Sequence, residues 1–140
     1  MIFPIATYAC ETWATNANDQ RKIEAFEMWI WRKLLRIPWT ARRTNESILH
    51  ELGEKPNLFN AVIKCKLEYF GHIARRDSDS LEKQIMFGKV EGSRSRGRPR
   101  LRWTDGITLV TGKSIYNCYT ISQDRSKWRN LIRRVTSTQS

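Results

Sequence analysis

The chain has 140 residues, 40% of them hydrophobic and 28% charged, which is enough apolar side chain for one packed core. Its 25 Lys and Arg against 14 Asp and Glu give a net charge of +11 at pH 7. A chain this basic repels itself unless a polyanion is close, so RNA or DNA is the expected partner and binding should weaken steeply with salt. A membrane surface ranks below nucleic acid because no basic amphipathic helix stands free of the core pattern. No small-molecule substrate is expected either.

The three cysteines, Cys10, Cys65 and Cys118, are odd in number and widely spaced. They do not form a disulfide framework, and a reducing, intracellular compartment is expected. The apolar opening, residues 1–9, lacks a basic start and is broken by Pro4. It is a poor signal peptide, too short to cross a bilayer, and resembles a helix or strand taken from a larger protein.

In chain order, the polar residues 16–20 predict a helix start, with Asn18 or Asp19 capping it. Ile23, Phe26, Ile30, Leu34 and Ile37 then recur at three- and four-residue steps, widened by Met28, Trp31 and Leu35, and Pro38 should end the helix. After a basic turn with Arg42 and Arg43, Asn45 should cap a short helix holding Ile48, Leu49 and Leu52 that stops at Gly53. Pro56 and Asn57 open a longer helix with Phe59, Ile63, Leu67, Phe70 and Ala74 inward, flanked by Val62, Tyr69 and Ile73. Lys64, Lys66, Glu68 and His72 are expected on its opposite side. A turn at 77–80 leads into a short helix from Leu81 to Phe87.

At Gly88 the composition changes to Gly, Ser and Arg, which is too charged to pack, so 88–102 is expected to be an extended arm. Helix should resume from Arg102 to Val110, with 111–119 ambiguous. Thr120 and Gln123 have capping-box spacing for a last helix carrying Trp128, Leu131, Ile132 and Val135 inward. The fold class is therefore all-α: a helical module over 17–76, a short helix in 77–87, a basic arm over 88–102, a helical tail over 103–136, and disorder in 137–140.

The sharpest local motif is Ser95-Arg96-Gly97-Arg98-Pro99-Arg100. Gly permits close backbone approach and Pro keeps the chain extended, so the arginines can splay along a narrow minor groove, as in an AT-hook. An arginine-rich segment that meets phosphates anywhere is the broader alternative. Gly112-Lys113-Ser114 matches the end of a P-loop, but five residues separate Gly106 from Gly112 where the motif needs four, and no strand leads in. Cys65 and His72 could share a helix face, yet no paired ligand spacing completes a zinc site. Asp77, Asp79, Asp105 and Asp124 are too dispersed for two-metal chemistry. No cofactor, metal or catalytic residue is expected. Trp29, Trp31 and Trp39 could stack on bases, but at helical spacing in an apolar run they are expected in the core.

Six stretches in order carry a family resemblance. They are Tyr8-Ala9-Cys10-Glu11-Thr12-Trp13; Ala25-Phe26-Glu27-Met28-Trp29-Ile30-Trp31-Arg32-Lys33-Leu34-Leu35-Arg36-Ile37-Pro38-Trp39-Thr40; Leu67-Glu68-Tyr69-Phe70-Gly71-His72-Ile73-Ala74-Arg75-Arg76; Gly88-Lys89-Val90-Glu91-Gly92; Arg96-Gly97-Arg98-Pro99-Arg100-Leu101-Arg102-Trp103-Thr104-Asp105; and Asp124-Arg125-Ser126-Lys127-Trp128-Arg129. Together they resemble the carboxy-terminal region, from the thumb end onward, of LINE-type non-LTR retrotransposon reverse transcriptases.

The resemblance implies that residues 1–16 end a thumb-like segment and that the rest is a nucleic-acid-binding tail. Such a tail would act beside a polymerase domain of the same element, in the nucleus. The family's polymerase signature and endonuclease residues are absent, so no enzymatic activity carries over to this chain. The resemblance implies nucleic-acid contact at Arg42, Arg43, Arg75, Arg76, Arg96, Arg98, Arg100 and Arg102, with Arg94 joining them in the arm. Two departures stand out: Ala9 replaces the usual Gly, and 107–119 lack the family's acidic amphipathic helix, as in a decayed copy. A small AT-hook chromatin protein and a remnant without selected function are the alternatives.

Overall fold

A computed structural model describes residues 3–53, 58–88, 97 and 101–138. The elements are α1 (Phe3–Ala6), a 3-10 turn (Cys10–Thr12), α2 (Ala17–Leu34), a second 3-10 turn (Trp39–Ala41) and α3 (Asn45–Leu52). They are followed by α4 (Leu58–Ala74), α5 (Leu81–Phe87), α6 (Trp103–Thr111), α7 (Ile115–Ser122) and α8 (Arg125–Thr138). The chain is all-α, with no strand among the described residues.

Helix α4 is the axis of the fold. Its expected face is buried: Phe59, Ile63, Leu67, Phe70 and Ala74 join Ile107 of α6, Cys118 of α7, and Trp128, Leu131 and Ile132 of α8 in one apolar cluster. Phe70 sits at the aromatic centre, with ring centroids 5.7 Å from Phe87, 6.4 Å from Trp103 and 5.4 Å from Trp128. Such offset and edge contacts suit the ring quadrupoles. The other flank of α4 buries Leu58, Val62 and Ile73, and Met28 and Ile30 of α2, Ile48 of α3 and Cys10 are buried too.

Close approach to α4 requires a residue without a side chain. A Cβ on Gly71 would lie 2.4 Å from Nε1 of Trp128, whose indole N–H donates to the Leu67 carbonyl at 2.9 Å. The polar ends of the core rings are thus satisfied by main chain. The Trp103 indole N–H likewise donates to the Glu11 carbonyl at 2.7 Å, joining α6 to the start of the chain.

Two buried charged residues were not expected inside. Lys66 was assigned to the solvent side of α4, but it is 1% exposed. Its ammonium donates to the Trp13 carbonyl at 2.9 Å and lies 5.0 Å from the Trp103 ring centroid. Gly106 leaves room for it, because a Cβ there would fall 2.6 Å from Nζ. Burial pushes the Lys66 pKa down from 10.5 to about 8. Glu27, also 1% exposed, accepts the Leu58 backbone N–H at 3.1 Å. A carboxylate at that position satisfies one of the free amides that open α4 and meets the positive end of its dipole.

Several boundaries differ from expectation for local reasons. Asn16, rather than Asn18 or Asp19, caps α2: its side chain accepts from the amides of Asn18 and Asp19, and Asp19 reciprocates to the Asn16 N–H. Helix α2 stops at Leu34, not Pro38, because Arg36 takes a left-handed conformation (φ 53°). Arg36 N–H then bonds to Lys33 O and Ile37 N–H to Arg32 O, the Schellman pairing. Thr44 rather than Asn45 caps α3. Thr120 lies within α7 instead of opening the last helix; Asp124 does that, accepting from the amides of Ser126 and Lys127. Those amides hold its carboxyl below the usual range. Helix α6 begins at Trp103, and the ambiguous stretch resolves into the turn after Gly112 and α7. Helix α8 reaches Thr138, so 137 and 138 are helical rather than disordered.

Candidate nucleic-acid interface

The expected binding arginines divide into three groups. Arg94, Arg96, Arg98 and Arg100 lie outside the described residues. Arg43 and Arg76 are on the surface but engaged by acids, Arg43 with Glu51 and Arg76 with Glu82. Exposed pairs of this kind contribute little to stability and leave the guanidinium free to exchange partners. Arg42, exposed and left-handed after the second 3-10 turn, and Arg102, exposed at the start of α6, face solvent.

Arg75 is different. It is half-buried at the end of α4, and its Nη1 donates to the Ser122 carbonyl at 2.8 Å, which ties α4 to α7. The guanidinium pKa is pushed down by burial, and then by the like charges of Arg125 and Arg129. Three arginines therefore share one corner of the molecule, where their mutual repulsion would be relieved by an anion.

That corner opens onto a surface that the sequence reading did not assign. Helix α8 carries Arg125, Lys127, Arg129, Arg133 and Arg134 and no acidic residue. Its buried side is Trp128, Leu131 and Ile132, so the cations occupy the remaining face. Arg125, Arg129 and Arg133 are four residues apart and form a stripe along one edge. Lys127 and Arg134 follow the other edge, and with Arg133 and Lys113 they rim a depression of about 660 Å³. Asp124 is the acid at this end: its Oδ1 accepts from the amides that open α8, and its Oδ2 lies 3.6 Å from the Lys127 ammonium. The signal was present in the sequence as cations at four-residue steps between the apolar positions, and it was passed over in favour of the glycine-rich arm.

The tryptophan expectation is corrected in part. Trp39 is 87% exposed and Trp29 55% exposed, so neither is a core residue, whereas Trp31 is half-buried. Phe26 and Leu34, expected inward, are also exposed. Helix α2 buries Glu27, Met28 and Ile30, and Trp29 lies on its opposite side.

Among the described residues no group of three or more His, Cys, Asp and Glu could hold a metal ion, and no helix is long and apolar enough to cross a membrane. Cys65 does not approach His72 in a ligand set; its neighbour is the buried Cys10, whose thiol is pushed up to about 12 by burial and by Cys65.

No family model and no solved structure matches the chain. It is 28% identical, over 98% of its own length, to a protein of Caenorhabditis elegans described as transposon-derived. The chain spans about half (53%) of that relative's length. This similarity supports a transposon-related origin for the chain.

Proposed function

We propose that this chain is a nucleic-acid-binding segment of a LINE-type non-LTR retrotransposon reverse transcriptase, lying beyond the polymerase centre. It would hold template RNA or target DNA for a polymerase domain of the same element, and the nucleus is where target DNA is met. The observation that carries the reading is the cationic face of α8, a helix with five cations and no acid of its own, crowded at one end against Arg75. A helix that presents five cations and packs by its opposite side is suited to track a phosphate backbone without reading sequence. The transposon-derived relative and the ordered motifs of the chain support the retroelement assignment.

The test is a titration of the purified chain against single-stranded RNA, mixed duplex DNA and A·T-rich duplex, each over a range of salt. Arg125→Gln with Arg129→Gln should weaken binding to all three and lower the salt slope by about two units if both side chains meet phosphates. An unchanged slope would remove α8 from the interface. A marked preference for the A·T-rich duplex would instead favour minor-groove reading by the arm around Arg96 and Arg98.

A further inference from the structure

Lys22, Phe26, Trp29 and Lys33 follow one another along α2 at steps of four, three and four residues, so they lie on one face of the helix. That face is turned to solvent: Phe26 is 42% and Trp29 55% exposed. The two rings are nearly parallel, 15° apart with centroids separated by 6.0 Å, and so present planes of common orientation. The Lys33 ammonium lies 5.8 Å from the Trp29 ring centroid. At the other end Lys22 is exposed and paired only loosely with Asp19, at 3.8 Å. A groove of about 230 Å³ runs beside Phe26 and Lys22 and is walled by Trp13, Ile23 and Val62.

We infer that this face of α2 is a base-stacking site for single-stranded nucleic acid, with unpaired bases on Phe26 and Trp29 and phosphates at Lys22 and Lys33. The inference rests on the nucleic-acid reading above and adds a second, separate contact surface to α8. Parallel, water-exposed aromatic rings waste apolar area unless something flat covers them, and every base has a flat π-face. Cations at both ends of the aromatic pair supply the complement to a backbone that must carry negative charge past those rings. A duplex could not use the site, because its bases are already stacked on one another. A protein partner would need acidic residues opposite Lys22 and Lys33, and it is the competing occupant that the test separates.

The experiment compares fluorescently labelled oligothymidylate with an abasic oligomer of the same length, which keeps the phosphates and lacks the bases. The full chain should bind oligothymidylate at least about tenfold more tightly, the equivalent of one stacked base. Phe26→Ala with Trp29→Ala should abolish that difference and leave abasic binding unchanged. Because both side chains are exposed, the variant should unfold at the wild-type urea midpoint, and a lowered midpoint would show that the rings support the fold instead. Equal binding of the two oligomers by the wild-type chain, or equal loss of both in the variant, would overturn stacking while leaving the α8 interface standing. No binding of either oligomer would overturn both readings.

Discussion

Replacing Gly71 by Ala sets two effects of opposite sign against each other within one helix turn. Alanine is the better helix former by about 1 kcal/mol, so on propensity alone α4 would gain stability. The new methyl, however, would lie 2.4 Å from Nε1 and 2.5 Å from Cδ1 of Trp128, with Arg75 Nη1 at 3.0 Å. The indole is 2% exposed and hemmed in by Phe70, so it has no room to yield without repacking. Moving it breaks the bond to Leu67 O and leaves a buried N–H unpaired, at about 1–3 kcal/mol. Overpacking adds about 1–3 kcal/mol. The clash therefore outweighs propensity, and a net loss of about 1–5 kcal/mol is expected, or a melting temperature lower by roughly 3–15 °C in a domain of this size. Urea unfolding followed by circular dichroism reads the difference, and the same substitution on a Trp128→Leu background should cost clearly less. If Gly71→Ala proves neutral or stabilising in the wild-type background, the indole is not seated over Gly71 and this account of the core is wrong.

Two further predictions concern α2 and α4. Lys66 is held at about 8 by burial, against an ordinary 10.5, so between those values the unfolded chain keeps a proton that the folded chain has released. Stability should accordingly rise by about 1 kcal/mol between pH 7.5 and pH 9, a rise that Cys10, whose thiol ionises near 9 only in the unfolded chain, begins to trim at the upper end, and denaturant midpoints of Lys66→Met should lack that rise. Arg36→Gly should stabilise the chain by about 0.5–1 kcal/mol, because glycine adopts the left-handed helix end without the Cβ penalty. Thermal unfolding checks this, and a lower melting temperature would mean that the Arg36 side chain contributes more than its backbone costs.

How far the sequence could be read depended on how many ways a segment could be satisfied locally. The inner face of α4 and that of α8 were legible because their apolar residues recur at helical spacing and their other residues are mostly polar. Helix α2 is apolar on more than one side, with Phe26, Trp29, Trp31, Leu34 and Leu35 competing for the interior. Periodicity alone could not choose among them; the helix buries Glu27, Met28 and Ile30 instead, and Glu27 meets the Leu58 amide 31 residues away in sequence. Lys66 was misassigned for a related reason. Its partners are the Trp13 carbonyl and the Trp103 ring, and neither is local to α4. Cap positions slipped by one to four residues where neighbouring side chains could all accept from free amides, as with Asn16, Asn18 and Asp19. The basic character of the chain was visible from composition. The cations at four-residue steps on α8 are visible as well, but the Gly- and Arg-rich segment is the stronger motif match.

Phe87 and Trp103 flank the arginine-rich segment, and both touch the ring of Phe70. The described residues on the two sides of that segment therefore meet at one side chain. Two pieces of the chain, one carrying residues 3–88 and the other 101–138, would be held together by the Phe70 aromatic cluster, the Trp103–Glu11 bond and the Trp128–Leu67 bond. The same pieces, produced separately, are expected to find each other and reconstitute one fold.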